Sequence, residues 1–262
     1  MTIIQLIISL VILGTLYVRM IRREVPKPIG KMQAVVPVLL GVLSILVSFL
    51  IMIGIGLLAL AVGYSTCNIA NPVLKALVGA FLGAGLAEEL AKLLMILLSF
   101  RLFRPKNLYE SILIGAAVGT GFTVHEEVLY AGSLAGIGRM VTVAMHMVYG
   151  VIMTYRLGMA RYKKLRGESG VNKDRVLALV FPVLLHTVYD ACTVFNPAID
   201  ALEGDDVLQL ASIIIGAVAL LVGTAWQVLV LVQLKKHAAN YSAMAMIPYG
   251  GEESEALSAE QR

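Results

Sequence analysis

The chain has 262 residues, of which 59% are apolar and only 15% charged, and its mean hydropathy is +0.86. An ordinary soluble domain carries roughly 25% charged residues, and one of this size would still need a polar coat that this composition does not supply. The numbers exclude a conventional soluble domain and make lipid the main solvent. The formal net charge is +4, and in a membrane chain a basic excess belongs to the loops of one side and is no signal for nucleic acid.

Seven apolar runs follow one another, over 2–18, 34–63, 74–99, 111–132, 140–155, 176–199 and 207–234. Each is long enough to cross a ~30 Å hydrocarbon core as a helix, and the second is long enough to require tilt or projection. The first reads as a retained helix, because its cations follow the apolar run and no small-residue cleavage pattern precedes Arg19. Every Lys and Arg except Lys75, Lys92 and Arg139 falls after the first, third or fifth run or in the tail. Asp200, Glu203, Asp205 and Asp206 cluster after the sixth. The positive-inside rule then predicts an all-α polytopic membrane protein of about seven crossings, with the N-terminus outside and the C-terminus cytoplasmic. Residues 1–240 are expected to form one integral membrane domain, with the chemistry in 74–199. Residues 241–262, with Glu252, Glu253, Glu255 and Glu260, are expected to be a disordered acidic tail.

Ionisable residues interrupt four of the runs. Glu88, Glu89 and Lys92 lie in the third, His125, Glu126 and Glu127 in the fourth, His146 in the fifth, and His186 and Asp190 in the sixth. An acid at the bilayer centre costs about 2.5–3.5 kcal/mol, so five lipid-facing carboxylates would cost on the order of 15 kcal/mol. A shared polar cavity is the economical arrangement. Spacing supports it, since Glu88 with Lys92 and His186 with Asp190 stand at i, i+4 on one helix face. Gly79 with Gly83 and Gly115 with Gly119 form small-xxx-small pairs that permit close helix approach. Measured from the flanking cations at ~1.5 Å per residue, Glu89, His146 and His186 sit ~15–18 Å deep, and Glu126 and Asp190 lie further toward the outer face.

At these residues the sequence resembles the PrsW family of intramembrane proteases, itself similar to the CAAX prenyl protease superfamily. Glu88-Glu89-Leu90-Ala91-Lys92 matches EExxK, Gly121-Phe122 with Glu126 matches GFxxxE, His146 to Gly150 matches HxxxG, and His186 to Asp190 matches HxxxD, in that order. Many members carry Glu-Asn at the second motif, where this chain has Glu126-Glu127. The resemblance implies a multi-pass protein of the bacterial cell membrane. It further implies hydrolysis of a peptide bond in a membrane-anchored substrate, typically a single-pass protein such as an anti-sigma factor, near the outer half of the bilayer. Glu88, Glu89, Lys92, Glu126, His146, His186 and Asp190 are the implied catalytic residues; Arg139, which flanks the third motif, and His125 and Glu127, ionisable neighbours that the motifs do not require, are candidate accessories.

Peptide hydrolysis needs an activated water, a stabilised oxyanion and a proton for the leaving amine. Two schemes fit these residues. In one, without metal, Glu88 or Glu89 is the base and His186, positioned by Asp190, assists the oxyanion. In the other, His146, His186 and Glu126 hold a divalent cation such as zinc with an open fourth position. A proton-coupled transporter or ion relay would also bury acids and histidines, but the sequence shows no inverted repeat of the kind many transporters have. An inert scaffold or immunity protein of the same fold would not need every motif carboxylate and histidine intact.

Overall fold

The computed structural model describes residues 2–22, 29–131, 139–196 and 206–246. Among them the chain is helical and no strand forms; the one β-type contact is an isolated bridge between Asn107 and Ala245. The helices are α1 (Thr2–Ile21), α2 (Lys31–Ala61), α3 (Pro72–Ala80), α4 (Leu86–Phe103), α5 (Leu108–Leu129), α6 (Met145–Leu165), α7 (Val171–Cys192) and α8 (Asp206–Ala243). Arg23, Lys27, Asp200, Glu203, Asp205 and the acidic tail from residue 247 onward lie outside the described residues.

Among the described residues five helices are long and apolar enough to cross a membrane, namely α1 (from Ile3), α2, α5, α7 and α8. The other two expected crossings are the ones that charge has altered. The third run is a broken helix, in which a π-helical turn, Phe81–Gly85, joins α3 to α4. α4 then carries Glu88, Glu89, Lys92 and Arg101. The fifth run begins later and ends further along than its apolar stretch, so α6 includes Arg156, Arg161, Lys163 and Lys164 in its final turns.

α5 lies at the centre, packed against α6 and α2, while α7 packs on α6 and α2 on α4. Its span is 78% buried inside the protein, against 11% for α8 and 22% for α2. Such a helix can be surrounded on all sides only if its neighbours come close, and glycine provides that. A Cβ on Gly115 would overlap the Gly150 carbonyl and the Thr154 hydroxyl; one on Gly119 would overlap the His146 carbonyl. Gly121 meets the backbone of α2 at Val38 in the same way. The glycines of the second and third motifs are therefore contact points between main chains. Gly79 and Gly83 instead face the Phe195 ring, where an added Cβ would lie 3.1 and 3.2 Å from it.

The basic helix ends gather at one end of the bundle. Tyr17 donates to Ala34 O and Tyr109 to Met20 O, each at 2.8 Å, joining the end of α1 to the starts of α2 and α5. Met246 N donates to Lys106 O at 2.6 Å, which brings the end of α8 to the same level. Asp174 accepts from Arg156 at 3.0 Å and Lys163 at 2.7 Å, pinning the start of α7 to α6.

Gly119→Val forces a branched side chain into the α6 backbone at His146. It is expected to destabilise the protein by about 1–3 kcal/mol or more, seen as a lower melting temperature in detergent. Gly56→Ala, with nothing within 4 Å of the added Cβ, is expected to leave melting unchanged.

Candidate active site

Four elements bring the motif residues together. The π turn ends at Gly85, so that α4 starts with an extra residue's rotation, and its first turn carries both glutamates. Single π-helical turns of this kind recur at functional sites. Consecutive residues point ~100° apart, and the two acids do separate. Glu89 is fully enclosed, whereas the Glu88 side chain keeps 15% of its surface exposed.

The side chains form one continuous polar chain across α4, α5, α6 and α7. Asp190 Oδ2 lies 3.2 Å from His186 Nε2, the i, i+4 pair expected on α7. His186 Nδ1 contacts Glu89 Oε1 at 2.8 Å, and Lys92 Nζ donates to that same oxygen at 2.6 Å. Lys92 Nζ also lies 2.8 Å from His146 Nδ1. An ammonium group can only donate, so Nδ1 accepts and the ring proton sits on Nε2, which faces Glu126 Oε2 in direct contact. Glu126 Oε2 accepts from Arg139 at 2.5 Å, and the Arg139 Nε lies 3.6 Å from Glu127. The charges are thus relayed by contact from α7 to the segment before α6.

Two pairings differ from those read from sequence. Lys92 pairs with Glu89 at i, i+3, not with Glu88, because the inward face of α4 runs through Glu89 and Lys92, both 0% exposed. The three-residue group able to hold a cation is Glu88, His146 and His186, whose donor atoms lie within 4.8 Å of one another. Glu126, expected in that set, is instead engaged by Arg139 and His146. The donor chemistry of the observed group, one carboxylate and two imidazoles, is that of a three-ligand divalent site. Glu88 Oε2 is buried without a hydrogen-bond partner among the described residues, and Glu89 holds His186 Nδ1, the usual outer support of a ligating histidine. His186 Nε2 also faces Asp190, and both His146 nitrogens are engaged, by Lys92 and Glu126, so a cation would have to displace a partner at each ring. His125 is half-buried and joins none of these contacts among the described residues.

Several residues around the cluster were not singled out from sequence. Tyr149 is fully buried, its ring stacked on His186 at 5.3 Å and edge-on to His146 at 5.8 Å, and its hydroxyl has no partner among the described residues. It lies between His146 and Gly150 of the third motif, in a position the motif leaves open. Phe122 covers Lys92 Nζ at 4.2 Å from the ring centre. Gln227, a buried amide within the long apolar α8, accepts from Ala144 N at 3.2 Å and donates to Val141 O, fixing the turn before α6. An amide in mid-run was a signal the sequence offered. Arg139, His146, Tyr149, His186 and Asp190 line a narrow pocket that opens onto the network.

A family model described as PrsW family intramembrane metalloprotease matches residues 33–226, and the chain belongs to that family. Among curated proteins it is similar to Protease PrsW of Halalkalibacterium halodurans, 37% identical over 127 residues, covering 47% of this chain and 55% of the relative. It is also similar to Protease PrsW of Shouchella clausii, at 35% identity, and of Bacillus subtilis, at 33%, each over 116 residues covering 42% of this chain and 52% of the relative. The chain thus spans about half the length of the curated relatives it matches. No solved structure matches.

Arg139 compensates two buried carboxylates, and Arg139→Gln leaves both without a cation. Loss of its charged hydrogen bond is expected to cost about 1–3 kcal/mol, read as a lower melting temperature, with Arg139→Lys restoring only part because a compact ammonium lacks the planar, spread donors by which the guanidinium reaches Glu126 through one nitrogen and Glu127 through another.

Proposed function

We propose that this protein is an intramembrane endopeptidase that cuts a single-pass membrane protein in the half of the bilayer opposite its basic helix ends. An anti-sigma factor is the kind of substrate the family resemblance implies. The observation that carries this reading is the convergence of Glu88, His146 and His186 from three helices to within 4.8 Å, braced by a buried chain of ionisable residues. Purely structural packing would not require so many desolvated charges at one depth.

In this reading Glu88 Oε2 takes the proton of the attacking water and later delivers it to the leaving amine. It is the α4 carboxylate with exposed surface and an unpartnered oxygen, 3.7 Å from His186 Nε2. Glu89 does a different job: its Oε1 receives both Lys92 and His186, which fixes the imidazole plane. Lys92 in turn sets the tautomer of His146, and Glu126 holds that ring from the other side. The Tyr149 hydroxyl, buried beside both rings and without a partner, donates to the developing oxyanion. In the alternative, metal-dependent chemistry Glu88, His146 and His186 would hold a divalent cation, Glu88 then serving as ligand and not as base, and the cation would supply Lewis-acid activation of the carbonyl or water.

The decisive experiment co-expresses the protein with a library of tagged single-pass membrane proteins. Fragments are expected with wild type, to fall about 10²–10⁴-fold with Glu88→Gln and about 10²–10³-fold with Tyr149→Phe, at unchanged expression and melting. Equal fragments from wild type and both variants would refute the peptidase reading. A second measurement concerns the cation: elemental analysis of protein purified with zinc is expected to find a bound divalent ion that Glu88→Gln and His186→Ala each weaken at least tenfold. Equal metal content in all three would remove these residues as its ligands.

A further inference from the structure

A second site lies at the basic end of the bundle, well away from the network. The final turns of α4 and α6 and the first turns of α7 enclose a cavity of about 560 Å³. Its rim carries five cations, Arg101, Arg104, Arg161, Lys164 and Arg175. Arg101, Arg104, Lys164 and Arg175 are exposed and form no ion pair with any acid among the described residues. Asp174, the acid of the first turn of α7, is already committed to Arg156 and Lys163, which do not line the cavity. The cavity wall beneath the cations is apolar, made by Leu97, Phe100 and Leu157.

Backbone geometry adds to this. Arg104 closes α4 in the left-handed region at φ 46°, where it is the sole non-glycine residue with positive φ among the described residues. An L-residue with a long side chain adopts that conformation rarely, and glycine is the usual occupant at a helix end. Here the position turns the chain into Pro105 while its guanidinium lines the cavity.

Unpaired cations above an apolar floor, in a pocket between helices at the membrane boundary, are complementary to a molecule with an anionic head and a hydrocarbon body. We infer that this cavity binds an anionic phospholipid, its phosphate among Arg101, Arg104, Lys164 and Arg175 and its acyl chains along Leu97, Phe100 and Leu157. A free phosphate ion would use the cations but has no use for the floor; a zwitterionic lipid would fill the floor but bring its own cation to the rim. The lipid would bridge the ends of α4, α6 and α7, the three helices that carry Glu88, His146 and His186. Arg101 stands twelve residues from Glu89, ~18 Å along α4, so it acts on helix placement and not on the reacting groups.

Native mass spectrometry of the full chain in detergent tests this, with phosphatidylglycerol or phosphatidylcholine added. The wild-type protein is expected to retain phosphatidylglycerol at least tenfold better than phosphatidylcholine. The combined substitutions Arg101→Gln, Lys164→Gln and Arg175→Gln are expected to abolish that preference, whereas Lys235→Gln with Lys236→Gln, removing exposed cations at the end of α8, leaves it intact. Equal retention of the two lipids, equal loss in the α8 control, or displacement of the lipid by millimolar inorganic phosphate would each overturn the inference. Should the triple variant not fold, single Lys164→Gln, at an exposed side chain, must still weaken phosphatidylglycerol retention; unchanged retention there overturns it equally.

Discussion

The site depends on one buried ammonium. Lys92 is fully enclosed, and an unpaired charge in such surroundings would be prohibitive. It is tolerated because Glu89 lies at 2.6 Å, His146 at 2.8 Å and the Phe122 ring beneath it at 4.2 Å. Those three partners come from three helices, so satisfying one charge fixes α4, α5 and α6 relative to one another. Everything downstream inherits that register: Glu89 carries it to His186 on α7, and His146 carries it to Glu126 and Arg139. A buried ion pair is weak grounds for added stability, since desolvation opposes the Coulomb gain. Its value here lies in specifying one arrangement among helices whose apolar faces could otherwise slide.

The close backbone contacts and the polar network constrain each other. Lys92 can reach His146 because α5 and α6 meet at Gly115, Gly119 and Gly150, with almost no side-chain volume between them. The π turn at Phe81–Gly85 does the corresponding work on α4, and Gly85 at its end fits against Thr187 and Val183 of α7. Packing by small residues brings main chains together, and the polar side chains then bridge the short distances that remain.

Much of this was legible in the sequence, for reasons that can be named. Apolar run length and clustered cations identify membrane helices because the bilayer imposes both, and acids inside such runs are so costly that their presence marks a shared interior. The His186 and Asp190 pair could be read because both lie on one regular helix. The Glu88 and Lys92 pairing could not, because the choice between i+3 and i+4 partners depends on how a π turn rotates α4. The cation group likewise contains Glu88 in place of Glu126, since the position of Arg139, which captures Glu126, is a matter of tertiary folding. Tyr149 was hidden for another reason: an aromatic residue in an apolar run reads as packing until its buried hydroxyl is found without a partner.

Charge balance gives the cluster a direction. Five carboxylates, Glu88, Glu89, Glu126, Glu127 and Asp190, face two permanent cations, Lys92 and Arg139, and two imidazoles. Even with both rings charged, the acids remain in excess. In a low-dielectric interior such an excess must be offset by a bound proton or by a cation, and the two outcomes meet at the same place. Glu88, Glu89 and Glu127 each keep a buried oxygen without a hydrogen-bond partner among the described residues, and Glu88 is the one of them grouped with His146 and His186. Lys92 pairs with Glu89, and Arg139 with Glu126 and Glu127, so among the described residues neither permanent cation pairs with Glu88. A proton held there is what an acid-base catalyst returns to a leaving amine, and a divalent ion held there is what activates water. In the proposed function the same electrostatic imbalance makes Glu88 the base of the metal-free chemistry and a ligand in the metal-dependent one.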